Sequence, residues 1–275
     1  MEEKLKTLVL GGLLRDSGKL LQRSGFYSGD QADCLAALLK SEAIEISDRQ
    51  AGLNCAAYRG AGGNKHVELT PDSPAYLVHE AGLIAAGLDS EEGSKDAEPV
   101  AHLQSVFNLV GERSKVSEAV AMKPLDAFQA INYPEQKWGS RPASKESYGV
   151  LTNRWINGLK RMNLKEGSHD ALLGLMESVF STVPANPTKG GESDISQYDC
   201  SRMTAAIAVC MAQYLDSKGL EDYSFLAGDG AKPFREEDVF CLVSGDLSGI
   251  QDYIYTISSK NALKALRGRS LYLEL

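Results

Sequence analysis

Only one stretch of this chain, Asp238–Gly245 (DVFCLVSG), has the continuous apolar character of a buried strand; elsewhere apolar residues recur at helical spacing. One strand cannot pair with itself, so most of the fold has to be helix packed on helix. The spacing predicts a helix over residues 3–24 broken at Gly18, with Leu5, Leu8, Val9, Leu13, Leu14 and Leu20 in register. Further helices are expected over Asp30–Leu39, Pro74–Leu88 (closed near Gly87), Gly149–Met162, Ser168–Thr182 and Ser201–Ser217, the last closed by Gly219. Glycines at 60, 62 and 63 mark Tyr58–Lys65 as a loop, and the acidic, small residues of Asp89–Pro99 mark another. Pro124, Pro134 and Pro142 make Lys123–Ser147 the best linker, and Val183–Ser193 is a Pro/Gly loop. After the strand, a glycine-flanked turn leads into a helix from about Gly249, and a last helix spans Asn261–Leu275.

With 43% hydrophobic and 24% charged residues over 275 positions, the chain is neither disordered nor collagen-like nor a coiled coil. That length admits two domains. Twenty-nine Lys and Arg against 37 Asp and Glu give a net charge of −8, so contact with nucleic acid has to be local. The five cysteines, at 34, 55, 200, 210 and 241, are scattered and contain no C-x-x-C pair. They read as reduced thiols of a cytoplasmic protein, and no signal peptide or membrane span fits the sequence.

Residues 245–275, GDLSGIQDYIYTIS…ALKALRGRSLYLEL, carry the most specific signal. An aspartate at a strand end can hold a metal or a ribose. Ser248 can cap the helix, and the flanking glycines let a phosphate approach backbone N–H groups. Taken alone, this spacing favours an ordinary strand–turn–helix cap. The whole string, Gly245–Tyr255 followed by Leu263–Ser270, resembles the opening of the first palm domain in the large subunit of type III-A (Csm-type) CRISPR–Cas effector complexes. Asp194–Ala208 (DISQYDCSRMTAAIA) is similar to a second stretch of that family, with Cys200 where His is common. Leu13–Arg23 (LLRDSGKLLQR) is similar to its HD nuclease motif, with Arg15 in the His position beside Asp16.

The resemblance implies an α+β, mostly α chain in three parts. These are a degenerate HD-like helical domain (1–122), a linker and helical region (123–235), and the first strand–helix unit of a ferredoxin-like palm (236–275), incomplete here. In an HD site, His and Asp residues from several helices hold a divalent metal that generates hydroxide. Arg15 has only donors and keeps its charge; it repels a cation and can pair with Asp16 instead. The family's later metal motif aligns with Ala81–Gly87, which places Gly82 at its ligating Asp. Two ligand positions are therefore lost, and no metal site is expected. His66, His79, His102 and His169 could assemble an unconventional site with Asp16, but they lack ligand spacing and read as surface or singly bonded histidines.

Two basic clusters bear on nucleic acid. Lys137, Arg141, Lys145, Arg154, Lys160, Arg161 and Lys165 interleave with Trp138, Tyr148 and Trp155, a pattern open to RNA. The reading preferred here is a solvated helix face with Trp155 in the core beside Leu151 and Leu159. Lys260, Lys264, Arg267 and Arg269 sit beside the presumed nucleotide turn, where phosphate is as natural a partner as solvent. By resemblance, Gly245, Asp246, Ser248 and Gly249 bind nucleotide. ATP and Mg belong to a pair of palms that makes cyclic oligoadenylates when target RNA is bound. The partners implied are crRNA, target RNA and repeat-associated RNA-binding Cas subunits. No Gly-Gly-Asp-Asp turn is present, so this stretch is not catalytically complete. A non-catalytic scaffold subunit and a free HD phosphohydrolase remain the alternatives, the second disfavoured by Arg15 and Gly82.

Overall fold

The computed structural model describes residues 2–41, 44, 49–58, 69–87, 101–109, 117–162, 164, 169–185, 193–228, 230–245, 248–255 and 262–274. They form two compact units, Met1–Phe240 and Cys241–Leu275. The first is mostly helical with one small sheet, in line with the α+β, mostly α expectation.

Its framework is a pair of helices, α1 (Glu2–Leu14) and α9 (Gln197–Ser217), packed on each other and on α5 (Pro74–Ala86). The approach of α1 to α9 is close because Gly12 has no side chain: a Cβ there would lie 2.6 Å from the Ala205 Cα. The two helices form a wall shared by two cores. On one side Leu10, Leu13 and Leu14 join Leu20 of α2 (Ser17–Ser24) and Leu35 of α3 (Gln31–Ser41). Trp155 of α7 (Lys145–Leu159) and Phe180 of α8 (His169–Phe180) complete that core, packed edge to face at 5.0 Å. On the other side Leu8, Val78, Met211 and Tyr223 cluster with Phe234 of α10 (Ala231–Phe234). Lys4 ties the start of α1 to the end of α9 by donating to Asp216 Oδ1 at 2.7 Å and to the Tyr223 hydroxyl.

Capping explains several boundaries. Pro74 opens α5 behind Ser73, whose hydroxyl accepts from the Ala75 N–H, and Gly87 closes it at φ 85°. Ser196 caps α9 by accepting from the Asp199 N–H at 3.0 Å. The helix ends in a Schellman turn, with Gly219 at φ 71° and the Leu220 N–H bonded to the Leu215 carbonyl at 3.0 Å.

The structure revises several expectations. The first helix breaks at Arg15-Asp16, not at Gly18. Gly18 lies inside α2, where a Cβ would fall 1.9 Å from the Gln31 carbonyl oxygen, so close packing on α3 explains that glycine. α9 begins four residues before the expected Ser201, at the Ser196 cap. Helix α4 (Arg49–Ala57) and the antiparallel pair β1 (Leu103–Gln104) and β2 (Ala119–Val120) had no counterpart in the sequence reading. The expected linker holds α6 (Gln136–Gly139) and the start of α7, and the first core draws on both 1–122 and 123–235. The expected strand is not formed: 238–245 carries no ladder, and Leu242 and Val243 are 91% and 85% exposed. An extended segment needs a neighbouring strand to satisfy its backbone, and the described residues supply none. The second unit holds α11 (Ile250–Tyr255) and α12 (Ala262–Glu274), with the Arg269 guanidinium over the Tyr253 ring and bonded to its carbonyl. The loops expected at Tyr58–Lys65 (beyond Tyr58) and Asp89–Pro99 lie outside the described residues.

Candidate functional site

The α1–α2 turn delivers Arg15 and Asp16 into the helical unit. The Arg15 N–H closes the last turn of α1 on the Gly11 carbonyl at 2.9 Å, and Ser17 Oγ donates to the Leu14 carbonyl at 2.7 Å. This fixes the Arg15 side chain pointing inward, where it is only 8% exposed. Its guanidinium lies against α5 at Gly82. A Cβ built on Gly82 would fall 1.5 Å from Arg15 Nη1, so the arginine occupies the space that any side chain at position 82 would take. Arg15 Nη2 lies 3.4 Å from His79 Nδ1; since a guanidinium only donates, that ring nitrogen accepts. His79 is buried and packs edge-on against Tyr58 at 5.1 Å, and burial pushes the Tyr58 hydroxyl up to about 12, with Tyr76 adding to the shift.

Asp16 pairs with Lys19 at 3.2 Å, and its carbonyl accepts from Gln197 Nε2 at 2.7 Å. Cys200, one turn along α9, faces the same charges. Burial raises its thiol pKa and the Asp16 carboxylate adds to that, while Lys19 and Arg15 pull the other way. Arg15 and Gly82, the two lost ligand positions of the metal pattern the sequence resembles, thus share one junction of α1, α5 and α9 with Cys200, the departure in the second resembled stretch. Two residues before Gly82 on α5, the buried Glu80 carboxylate accepts from Arg235 Nε at Oε1 and from its Nη2 at Oε2, the latter at 2.9 Å.

A divalent cation does not fit this arrangement. A fixed positive charge with no lone pair stands at the would-be ligand, and position 82 offers no oxygen. Among the described residues no three His, Cys, Asp or Glu side chains gather as a metal cage.

Among the described histidines, His79 alone joins the junction. His102 packs on Trp138 at 5.2 Å in the β1 region, His169 opens α8, and His66 lies outside the described residues. Gln197 escaped the sequence reading, and His79 entered it as a surface or singly bonded histidine rather than a member of the site. The signal was present: each lies three residues from a substituted position, Gly82 and Cys200, hence on the same helix face.

In the larger basic stretch the described lysines and arginines lie on an exposed face, as the sequence reading preferred. Trp155 and Tyr148 are buried, so neither offers a ring to a base, and Lys137 is paired with Glu135 at 2.8 Å. Arg154 donates to Ser178 Oγ at 2.7 Å and to the Leu125 carbonyl, and Lys165 lies outside the described residues. In the second unit Ser248 and Gly249 are exposed, Gly249 has φ 76°, and a Cβ on Gly245 would meet nothing within 4 Å. Asp246 and Lys260 lie outside the described residues. Lys264 and Arg267 are exposed on α12, while Arg269 is engaged with Tyr253. No helix of the described residues is long and apolar enough to cross a membrane.

Comparison with known proteins meets this picture at both ends of the chain. The family model for Csm1 subunit domain B matches residues 239–275. A protein of Enterococcus italicus named CRISPR system single-strand-specific deoxyribonuclease Cas10/Csm1 (subtype III-A) is 33% identical over the whole of this chain and 38% of its own length. This chain belongs to the Cas10/Csm1 family of subtype III-A. It corresponds to the N-terminal part of such proteins and spans about a third of the length of the relatives it matches. The crystal structure of Csm1 from T. onnurineus superposes with a TM-score of 0.72 at 30% identity, covering 100% of this chain and 35% of that one. A Csm1–Csm4 cassette solved with pppApA gives 0.69 at 27% identity over 98% of this chain and 35% of that one; the same cassette has been solved with one ATP and with cA4.

Proposed function

We propose that this chain is the opening part of the large subunit of a type III-A RNA-guided effector complex in antiviral defence, and that its HD-type nuclease centre is silent. Residues 1–122 are the degenerate HD-like domain, 123–235 the linker and helical region, and 236–275 the start of the first palm. The observation that carries the silent centre is the Arg15 guanidinium seated on Gly82. The relatives are named as deoxyribonucleases, so this chain departs from them in the chemistry of one site while keeping the fold.

The nucleotide side rests on Gly245, Asp246, Ser248 and Gly249, a glycine-flanked turn suited to phosphate, and on the ligands of the solved Csm1–Csm4 cassettes. In this reading the complete subunit converts ATP to cyclic oligoadenylates in the cytoplasm. Magnesium is held by carboxylates of a second palm outside this stretch. A Csm4-like repeat-associated RNA-binding subunit, crRNA and target RNA complete the assembly. The alternative of a scaffold without chemistry is separated by ATP turnover in the complete complex.

Two assays test the proposal. The complete protein, given Mn²⁺ or Ni²⁺, is expected to leave single-stranded DNA intact; metal-dependent cleavage that a metal-site variant of the HD-like domain abolishes overturns the silent centre. In the complete complex Ser248→Ala removes a hydrogen bond to a charged group, worth roughly 1.5–3 kcal/mol. Cyclic oligoadenylate output should fall roughly 10- to 150-fold, with target-RNA binding retained. Undiminished output from a folded Ser248→Ala complex would reduce the turn to a structural cap.

A further inference from the structure

We infer that Arg15 is a captive cation: its guanidinium takes over the cross-linking role of a bound metal, and the seat it fills is a guanidinium-binding site. The inference rests on reading Arg15 and Gly82 as former ligand positions, but its support is geometric. A metal in such a centre joins helices that are distant in sequence. Arg15 makes the same kind of join with one side chain, running from the α1–α2 turn to α5, where it meets Gly82 and the His79 Nδ1. The fit is reciprocal. Gly82 leaves room for the guanidinium, and the guanidinium leaves no room for even a methyl group on residue 82, whose Cβ would come within 1.5 Å. The large residue at 15 and the absent side chain at 82 therefore act as one unit. One carboxylate, Asp16, stands at the same junction between the two cations Lys19 and Arg15. His79 supplies an acceptor that a guanidinium can use without losing its own charge.

Two consequences separate this from a merely buried arginine. First, substitutions at 15 and 82 must be strongly non-additive. Arg15→Ala should lower the thermal midpoint of the full chain by roughly 5–10 °C, the range for losing a buried, bonded group in a chain of this size. Gly82→Ala should cost a similar amount by expelling the guanidinium. The double variant should be no less stable than Arg15→Ala alone, because the new methyl then enters vacated space. Second, the emptied seat should accept a free ion of the same shape. Methylguanidinium at 10–20 mM should raise the midpoint of Arg15→Ala by several degrees and leave the wild type and the double variant unmoved; ammonium at equal ionic strength should not substitute.

Where Arg15→Ala does not accumulate, Arg15→Met keeps the apolar stem and serves the same cycle. Additive losses, or rescue by methylguanidinium that persists in the double variant, overturn the inference. The silent-nuclease reading fails by a different route, metal-dependent DNA cleavage by the unaltered protein, so each can fall while the other stands.

Discussion

Leucines of the first 240 residues and leucines of the last 35 are the same chemistry in opposite surroundings. Leu8, Leu13 and Leu20 are essentially removed from solvent, whereas Leu242, Leu263 and Leu271 are 91%, 66% and 58% exposed. Helices α1, α5 and α9 meet their neighbours face to face, so each apolar stripe finds a partner inside the described residues. The described residues of 241–275 form a turn and two helices whose large apolar side chains face solvent. The contrast teaches that an apolar side chain is buried by a facing stripe on another element and not by its own composition.

The sharpest way to break that comparison is to truncate one large apolar residue in each unit. Trp155 is fully buried against Phe180, so Trp155→Ala should destabilise by about 3–5 kcal/mol. Leu242→Ala should change stability by no more than about 0.5 kcal/mol. Denaturant titration of both variants decides it, and a large loss from Leu242→Ala would mean that the second unit has its own hidden core. Hydrogen exchange sharpens the same point: amides of 239–243 should exchange quickly and those of α9 slowly. Strong protection at 239–243 in the isolated chain would contradict the unpaired state seen here.

A smaller effect is expected where backbone meets backbone. Gly12→Ala places a methyl 2.6 Å from the Ala205 Cα, and the α1–α9 wall can yield only by separating the helices. The cost should be about 1–3 kcal/mol, the usual range for overpacking a core. Gly245→Ala, with nothing within 4 Å, should cost almost nothing in stability. A neutral Gly12→Ala would show that the wall between the two cores is loosely packed.

What the sequence revealed follows the same divide between local and distant causes. Helices with chemical end signals were readable: Pro74 and Gly87 bracket α5, and Gly219 ends α9. The N-terminal signal of α9 was equally local, a Ser196 cap with Asp199 three residues on, yet the apolar pattern starting at Ser201 obscured it. Helix α4 was missed because RQAGLNCAA has no apolar stripe; Cys55, packed against Gly11 of α1, holds it by contact rather than periodicity. β1 and β2, two residues each, are too short for any alternation to register. The failed strand at Asp238–Gly245 is the reverse case: composition prescribes an extended, buried segment, but pairing is supplied by neighbours that no local pattern contains. At the helix junction, Arg15 and Gly82 stood out singly as departures from a resembled motif. Their mutual fit was invisible, because 67 positions separate them and only the α1–α5 packing brings them together.

The smallest expected effect tests whether the close packing of the first unit extends to its irregular β1 region. His102 is buried beside Trp138, and burial holds its imidazole below the ordinary pKa against the opposing pull of hydrogen bonds to the backbone of Val120 and Pro142. A depressed pKa means that the unfolded chain binds the proton first. The neutral ring therefore supports the fold above about pH 6.5, and that support is lost as pH falls toward the folded-state value. One proton limits the slope to about 1.4 kcal/mol per pH unit. Unfolding free energies between pH 7.5 and 5 should fall more steeply for the wild type than for His102→Gln. With Trp155→Phe as background, Trp138 emission should follow the same titration, since the ring beside it changes charge. The second unit contains no histidine, so exchange in α12 should show no matching step. Equal slopes for wild type and His102→Gln would place His102 in contact with water and leave the β1 region outside the packed unit.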